Sequence, residues 1–227
     1  MKTKNISKKE SLAFGWKKTI EHFAFLLPVM FLFLLVSFSE ELISIFIGDE
    51  LLLSFLSIII SIFSIFLTMG LINISLMIHD GKKPQFKDLF SCYFLFFRFF
   101  IASILYFLIV LGGFILLIIP GIIWGLQFYF VEYLVIDKKM RPIEALRRCS
   151  EIMKGNRLNL FWLVLILLLI NITPALVAFF AGIIIGEISI FFNVAFLITV
   201  PVSLIATVFF YRKVLEQSEK KEEPAVD

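Results

Sequence analysis

The sequence is poor in charged residues and in the side chains that carry most chemistry. Only 17% of its 227 residues are charged, against about 25% in ordinary soluble domains. The net charge of +3 gives no indication of a nucleic-acid partner. Its two cysteines, Cys92 and Cys149, and its two histidines, His22 and His79, stand apart from one another. This spacing predicts no metal site, no disulfide framework, no cofactor and no catalytic cluster.

Apolar residues take the place of the missing charges. They make up 60% of the chain, 29 of them are Phe, and the mean hydropathy is +1.00. A soluble domain of this length has too little interior to bury so much Leu, Ile and Phe. The composition therefore indicates an integral membrane protein, with the bilayer as the solvent for these side chains.

Five long apolar stretches, one of them divided into two spans, predict an all-α polytopic fold with six transmembrane helices. A helix needs about 20 residues to cross the hydrocarbon core, and on that basis the predicted spans are about 22–39, 51–78, 95–118, 121–136, 158–182 and 188–211. The third and fourth come from one apolar stretch that is too long for a single crossing. The Pro120-Gly121 pair predicts a turn that divides it.

Charge divides the predicted loops into two groups. Six spans place all 21 Lys and Arg residues on one side of the membrane and leave the other side only acidic residues: Glu40, Glu41, Asp49, Glu50 and Glu187. The positive-inside rule makes the basic side the cytoplasm, so both termini are expected there. Residues 1–22 then form a cytoplasmic amphipathic segment, 23–213 the membrane domain, and 214–227 a charged cytoplasmic tail that we expect to be disordered.

A short amphipathic segment precedes each odd-numbered span. In the first, Ser7 and Glu10 form a capping-box pattern, followed on one helical face by Leu12, Trp16, Ile20 and Phe23. Pro84 and Pro142 suit the first turns of the second and third segments, and Gly155 suits the end of the third. The pattern predicts three helical hairpins, each preceded by a cytoplasmic amphipathic helix. Ordinary basic loops give a similar pattern, so both interpretations stay open.

The third amphipathic segment has the strongest division between basic and apolar faces. A helix of this kind lies flat on the cytoplasmic surface of a bilayer and attracts anionic headgroups. Its candidate lipid contacts are Arg141, Arg147, Arg148 and Lys154. Membrane lipids are therefore the expected partners. A protein partner or a second copy of the chain also stays open.

The stretch from Gly112 to Phe161 carries an I-P-G turn, a span that ends in V-x-D, and an A-L pair followed by K-G before the next span. It resembles the bacterial integral membrane family named after the membrane domain of glycerophosphoryl diester phosphodiesterase, together with relatives of unknown function. The matching positions are Pro120, Gly121, Asp137, Ala145, Leu146, Lys154 and Gly155, with Ser150 in a polar position. The resemblance implies a six-span protein of the bacterial plasma membrane. It implies no catalytic residue, because a separate soluble domain performs the hydrolysis in the fused members.

Two features inside the predicted spans are candidates for transport. Glu132 is the only acidic residue within a span, where burying its charge is costly; it departs from the uncharged residue usual in the family. It either binds a cation or proton, or lies at the interface near headgroups or Arg98. The second feature is a polar face of span two, formed by Ser54, Ser57, Ser61, Ser64, Thr68 and Ser75. This face suits either a pathway or close helix packing.

Two functional hypotheses follow. The first is a non-enzymatic membrane protein that organises lipids or partner proteins through its basic surface helices. The alternative is a small transporter or channel that uses Glu132 and the serine face of span two. An enzyme is not expected, because the sequence shows no nucleophile with a neighbouring base and no metal-ligand cluster.

Overall fold

The computed structural model describes residues 6–47, 49–185 and 189–222, and this part of the chain is helical without strands. Its α-helices are α1 (Lys8–Glu21), α2 (Phe23–Phe46), α3 (Glu50–His79), α4 (Phe96–Leu116), α5 (Ile118–Gln127), α6 (Val131–Lys138), α7 (Pro142–Ile152), α8 (Arg157–Ile185) and α9 (Ser189–Glu222). Four segments are long and apolar enough to cross a membrane, and up to six if each sharply bent helix pair counts as a span. The predicted fold class, an all-α polytopic membrane protein, is confirmed.

Helices α3, α6 and α9 form the centre of the described bundle. Each belongs to the second span of one predicted hairpin. Ile72 of α3, Tyr133 of α6 and Tyr211 of α9 belong to one buried apolar cluster, and the two tyrosine rings lie 5.8 Å apart. Helices α4 and α8 pack around this centre and keep outward side chains such as Phe97 and Leu158 exposed. Large exposed apolar side chains of this kind need an apolar solvent, which a bilayer provides.

The Lys and Arg residues fall in four segments of the sequence: the N-terminal segment, residues 80–98, residues 137–157 and the C-terminal tail. These four basic segments meet at one end of the described bundle, which we call the basic end. Lys8 Nζ lies 5.6 Å from the centre of the Trp162 ring, Arg98 donates to the Lys139 carbonyl at 2.7 Å, and Arg212 lies 2.7 Å from Asp80. The position of all four basic segments at one end agrees with the predicted separation of basic and acidic residues between the two sides of the membrane. Which side of the membrane the basic end faces stays a prediction. Of the acidic residues predicted for the opposite side, Glu187 lies outside the described residues.

Helix α1 packs along α9 through its small residues. Ser11, Gly15 and Thr19 are buried, and a Cβ on Gly15 would lie 2.6 Å from the Val202 carbonyl oxygen. The start of α1 lies beside the end of α9, around Glu216, so the two helices run antiparallel. Of the apolar face predicted for α1, Trp16, Ile20 and Phe23 stay exposed, where lipid can cover them, whereas Leu12 packs partly against the core. The chain then bends by 93° into α2.

The prediction of an amphipathic helix before span three is wrong. Residues 86–95 form two short 3₁₀ turns, Phe86–Leu89 and Tyr93–Leu95, which continue into α4 without a sharp bend. The cause is the close approach of this segment to α3. The Leu89 backbone passes directly over Gly70, where any Cβ would collide with it. The Asn73 amide also donates to the Asp88 carbonyl at 3.1 Å, which holds the segment against α3. Only the first and third hairpins therefore have a separate amphipathic helix.

The reversal between spans three and four lies three residues before the predicted Pro120-Gly121 turn. It is made at Leu117, which is extended with φ −167° and ψ 159°. Pro120 is instead the third residue of α5, where a missing N–H leaves no helical hydrogen bond unmade. Gly113 and Gly121 allow the antiparallel contact of α4 with α5, because a Cβ on Gly113 would lie 2.8 Å from the Gly121 Cα and a Cβ on Gly121 would lie 2.6 Å from the Phe114 ring.

Span four is not the single helix predicted for 121–136. Its backbone breaks at residues 128–130, between α5 and α6. Side chains satisfy carbonyls near this break: Tyr106 donates to the Gly125 oxygen at 3.2 Å, and Cys149 donates to the Gln127 oxygen at 3.3 Å. A broken helix is tolerated within a membrane when such partners replace the lost backbone bonds.

Two helices extend beyond their predicted ends. Helix α2 continues through Phe46, beyond the predicted limit of span one at residue 39. Helix α9 continues through Glu222. Residues 214–222 of the tail that we expected to be disordered are therefore helical, because contacts with α1 give this end of α9 a packing surface. Residues 223–227 lie outside the described residues.

Candidate functional site: a basic groove beside α7

Helix α7 has the amphipathic form that the sequence predicts. Pro142 is its first residue, and Gly155 adopts φ +86° in the connection to α8, a left-handed conformation that favours glycine. Ala145, Cys149 and Ile152 are fully or almost fully buried. The basic residues occupy the opposite side. Helix α7 makes an angle of 102° with the first part of α8, so the two helices are nearly perpendicular.

The break in span four fixes the position of α7. The Gln127 side chain donates to the Ser150 hydroxyl at 2.7 Å, and the Cys149 thiol donates to the Gln127 carbonyl. The Cys149 side chain is fully buried where it makes this bond. Together these bonds hold α7 from two successive residues against the end of α5.

A groove of about 920 Å³ runs between α7 and α4, and we call it the α7 groove. Its basic side chains are Arg141, Arg147 and Arg148, and its apolar wall includes Ile101, Leu105 and Ile143. Ile101 and Ile143 are exposed, although both are large and apolar. The groove thus joins three guanidinium groups to an apolar surface that continues along α4.

Acidic residues balance part of this charge. Arg148 and Glu151 form an ion pair of 3.4 Å, and Glu144 also lines the α7 groove. Within the described part of the chain, Arg141 and Arg147 are exposed and form no ion pair. These two arginines are therefore the groups best able to bind an added anion.

The fourth candidate lipid contact lies beside the α7 groove. Lys154 lines an adjoining hollow of about 450 Å³, together with Arg147 and Ser150. The structure therefore brings the four basic residues singled out by the sequence onto one continuous surface. Arg147 contributes to both hollows.

Asp137, one of the residues of the family-like motif, contributes to contacts between helices. Asp137 accepts hydrogen bonds from the Tyr211 hydroxyl at 2.9 Å and from Arg212 at 2.8 Å. The same Arg212 donates to Asp80 at 2.7 Å. We call these three charged residues the aspartate–arginine network. It joins the ends of α3 and α6 to α9, so it connects one helix from each predicted hairpin.

The other motif residues surround α7 and the α4–α5 contact. Ala145 is buried, Leu146 packs partly against the core, and Lys154 is exposed. Pro120 and Gly121 belong to the first turn of α5, as described above. Asp80 and Arg212 were not among the candidate residues predicted from the sequence. A signal for Asp80 was available: like Asp137, it ends a span and is soon followed by two lysines.

Glu132 lies within the bundle and does not pair with Arg98. Its carboxylate accepts a hydrogen bond from the Ser103 hydroxyl on α4 at 2.7 Å. Arg98 instead donates to the Lys139 carbonyl, which is left open where α6 ends in a left-handed residue with φ +53°. Ser103 also borders an apolar hollow of about 240 Å³. Of the two interfacial alternatives for Glu132, the pairing with Arg98 is not made in the structure; proximity to headgroups stays a prediction.

The serine face of α3 does not have a uniform environment. Ser54 and Ser61 are exposed, Ser57, Ser64 and Thr68 are half-buried, and Ser75 is buried. The hydroxyls of Ser54, Thr68 and Ser75 donate to carbonyls of α3 itself, at 2.8, 2.9 and 2.8 Å. These three hydroxyls are thus satisfied within their own helix.

No family model, curated protein or solved structure matches this chain. The resemblance drawn from the span-four motif therefore stays a prediction. Among the described residues, no group of three or more His, Cys, Asp or Glu side chains could hold a metal ion. The fold defines the class, an all-α polytopic membrane protein, and the α7 groove is its most distinctive candidate site.

Proposed function

We propose that this chain is a non-enzymatic plasma-membrane protein that binds anionic phospholipids on the cytoplasmic side and organises lipid around itself. One observation carries the proposal. The α7 groove places Arg141 and Arg147, which have no ion-pair partner among the described residues, beside apolar side chains of α4. A phospholipid combines the two complementary parts, an anionic phosphate and an apolar chain.

The chemistry of arginine suits the phosphate. A guanidinium presents several N–H donors in a planar fork, and phosphate oxygens accept two of them at once. The exposed faces of Ile101 and Leu105 provide the apolar contact for an acyl chain. The perpendicular arrangement of α7 and α8 suits a headgroup at the surface and a chain along the span.

Selectivity for anionic lipid follows from charge. Each basic residue near a membrane surface contributes about 1 kcal/mol to the binding of an anionic lipid. Two such arginines correspond to a preference of roughly 30-fold over a zwitterionic lipid. Glu144 and Glu151 oppose binding of a second negative charge, which favours a lipid with one phosphate over a highly charged one.

Lipid titration of the purified full chain tests the proposal. Native mass spectrometry in detergent would compare the retention of phosphatidylglycerol and phosphatidylcholine by wild type and by Arg141→Gln/Arg147→Gln. We expect the double variant to retain fewer phosphatidylglycerol molecules than wild type, because the preference contributed by these two arginines is lost. The control is Lys82→Gln/Lys83→Gln, an equal charge change at two exposed residues outside the groove.

The control distinguishes binding at the α7 groove from general electrostatic attraction between the protein and anionic lipid. A preference that falls only in the arginine variant supports the proposal. Equal losses in both variants would show that net charge alone attracts the lipid, and an unchanged preference in the arginine variant would exclude the α7 groove as the site. Either of these results overturns the proposal.

A further inference from the structure

A second groove lies between α5 and α8, and it contains a single basic residue. We call it the α5–α8 groove. Its volume is about 450 Å³, within the range of about 300–1,000 Å³ usual for small-molecule sites. Its apolar lining includes Ile119, Ile122, Leu126, Leu158 and Phe161, and Arg157 is the one charged residue. It shares no lining residue with the α7 groove.

Arg157 has no anionic partner in the described part of the chain. No ion pair or hydrogen bond involves its guanidinium there, and its Nε atom is buried without an acceptor. A buried polar atom without a partner is uncommon in proteins, so the hydrogen bonding of this guanidinium is incomplete among the described residues. The half-buried guanidinium beside apolar side chains therefore favours an added anion.

The start of α8 contributes to the same attraction. Arg157 is the first residue of this 29-residue helix. The first backbone N–H groups of a helix have no acceptor within it, and they carry a partial positive charge. An anion beside Arg157 would therefore meet both a guanidinium and a helix N-terminus, a combination suited to phosphate.

We infer that the α5–α8 groove binds one anionic phospholipid, with its phosphate at Arg157 and an acyl chain between α5 and α8. The apolar wall argues for a lipid. Ile119 and Leu158 are 70% and 73% exposed, and α5 belongs to a candidate membrane span. A free phosphate would leave this apolar surface uncovered, whereas an acyl chain covers it. The inference rests on residues other than those of the proposed function, so each can fail alone.

The test uses the full chain carrying Arg141→Gln/Arg147→Gln, so that the α7 groove does not contribute. In this background, native mass spectrometry measures binding of phosphatidylglycerol after addition of Arg157→Gln or Ile122→Trp. Arg157→Gln removes the charge, and Ile122→Trp fills the apolar groove while Arg157 remains. We expect each to weaken binding, by roughly fivefold for the loss of one basic residue. Lys82→Gln serves as the charge-matched control and is expected to leave binding unchanged.

Inorganic phosphate is the second arm of the test. We expect millimolar phosphate not to displace the lipid, because it cannot replace the apolar contact. If phosphate displaces the lipid and Ile122→Trp has no effect, the site binds only a free anion and the inference is wrong. Equal weakening by Arg157→Gln and Lys82→Gln, or none by Arg157→Gln, would also overturn it. Circular dichroism of each variant confirms that the helical fold is retained.

Discussion

Arg212 on α9 lies 2.8 Å from Asp137 at the end of α6. The other terminal nitrogen of the same guanidinium lies 2.7 Å from Asp80, which follows α3. The Arg212 and Asp137 side chains are only 16% and 12% exposed. One guanidinium therefore bridges two carboxylates that come from different parts of the chain. The aspartate–arginine network makes the relative position of three central helices depend on one residue.

Replacement of Arg212 by Gln should lower the stability of the bundle markedly. The variant leaves two carboxylates near each other without a cation, and breaking a buried ion pair costs about 3–5 kcal/mol. Because this network is partly exposed, we expect about 2 kcal/mol. Thermal unfolding in detergent measures the change. The matched control is Lys213→Gln, whose exposed pair with Glu216 is expected to contribute less than about 1 kcal/mol. Similar unfolding temperatures for the two variants would contradict the role of the network.

Two neighbouring glycines on α4 should respond in opposite ways to the same substitution. A Cβ on Gly113 would lie 2.8 Å from the Gly121 Cα, whereas a Cβ on Gly112 would meet no heavy atom within 4 Å. Gly113→Ala should therefore separate α4 from α5 and destabilise the protein by about 1–3 kcal/mol. Gly112→Ala should be neutral or stabilise by up to about 1 kcal/mol, because alanine favours the helix. Thermal unfolding measures the stability of both variants. A Gly113→Ala protein as stable as wild type would contradict the close contact of α4 with α5.

Gly15→Ala should loosen α1 from α9. The added methyl group would meet the Val202 carbonyl oxygen and the Ala206 side chain, at 2.6 and 3.0 Å. Backbone of α9 cannot move aside as a flexible side chain could, so α1 should shift outward. Hydrogen exchange measured by mass spectrometry should then rise in α1 and in the adjoining end of α9. Gly112→Ala is the control, since it adds the same methyl group elsewhere. Unchanged exchange in α1 would show that the two helices are not in contact.

The transport hypothesis makes a separate prediction about Glu132. Its hydrogen bond to Ser103 gives the carboxyl group a partner inside the bundle, and glutamine can still accept that bond. We therefore expect Glu132→Gln to retain the fold and the lipid preference. In reconstituted liposomes, proton flux should be equal for wild type, Glu132→Gln and protein-free vesicles. A flux that requires wild-type Glu132 would instead support a transporter.

The membrane class and the regions of the spans were predictable because they depend on composition and local pattern. Apolar stretches long enough to cross a bilayer show in the sequence itself, and so does the amphipathic pattern of α7, with Pro142 at its start. The meeting of the four basic segments also followed from charge alone. These features need no knowledge of which helices touch.

Several departures from prediction involve contacts between distant residues. Residues 86–95 have an amphipathic pattern, yet they form 3₁₀ turns where the Leu89 backbone lies against Gly70. Span four looks continuous in hydropathy, and its break depends on Tyr106 and Cys149, which lie on other helices. The α5–α8 groove was also beyond sequence reasoning. In the sequence, Arg157 is an ordinary basic residue at the end of a span. Only the structure shows that α5 lies beside it.

The antiparallel contact of α1 with α9 has a consequence for how the protein is made. The surface that buries Gly15 is synthesised roughly 190 residues later, which takes about 10–40 s at ribosomal rates of about 5–20 residues per second. During that interval α1 has no protein partner on its small-residue side, and Asp80 and Asp137 have no arginine. Synthesis of the last span therefore completes two sites at once: the packing surface for α1 and the aspartate–arginine network. Nascent chains that stop before Val202 should be the ones that quality-control proteases remove from the membrane.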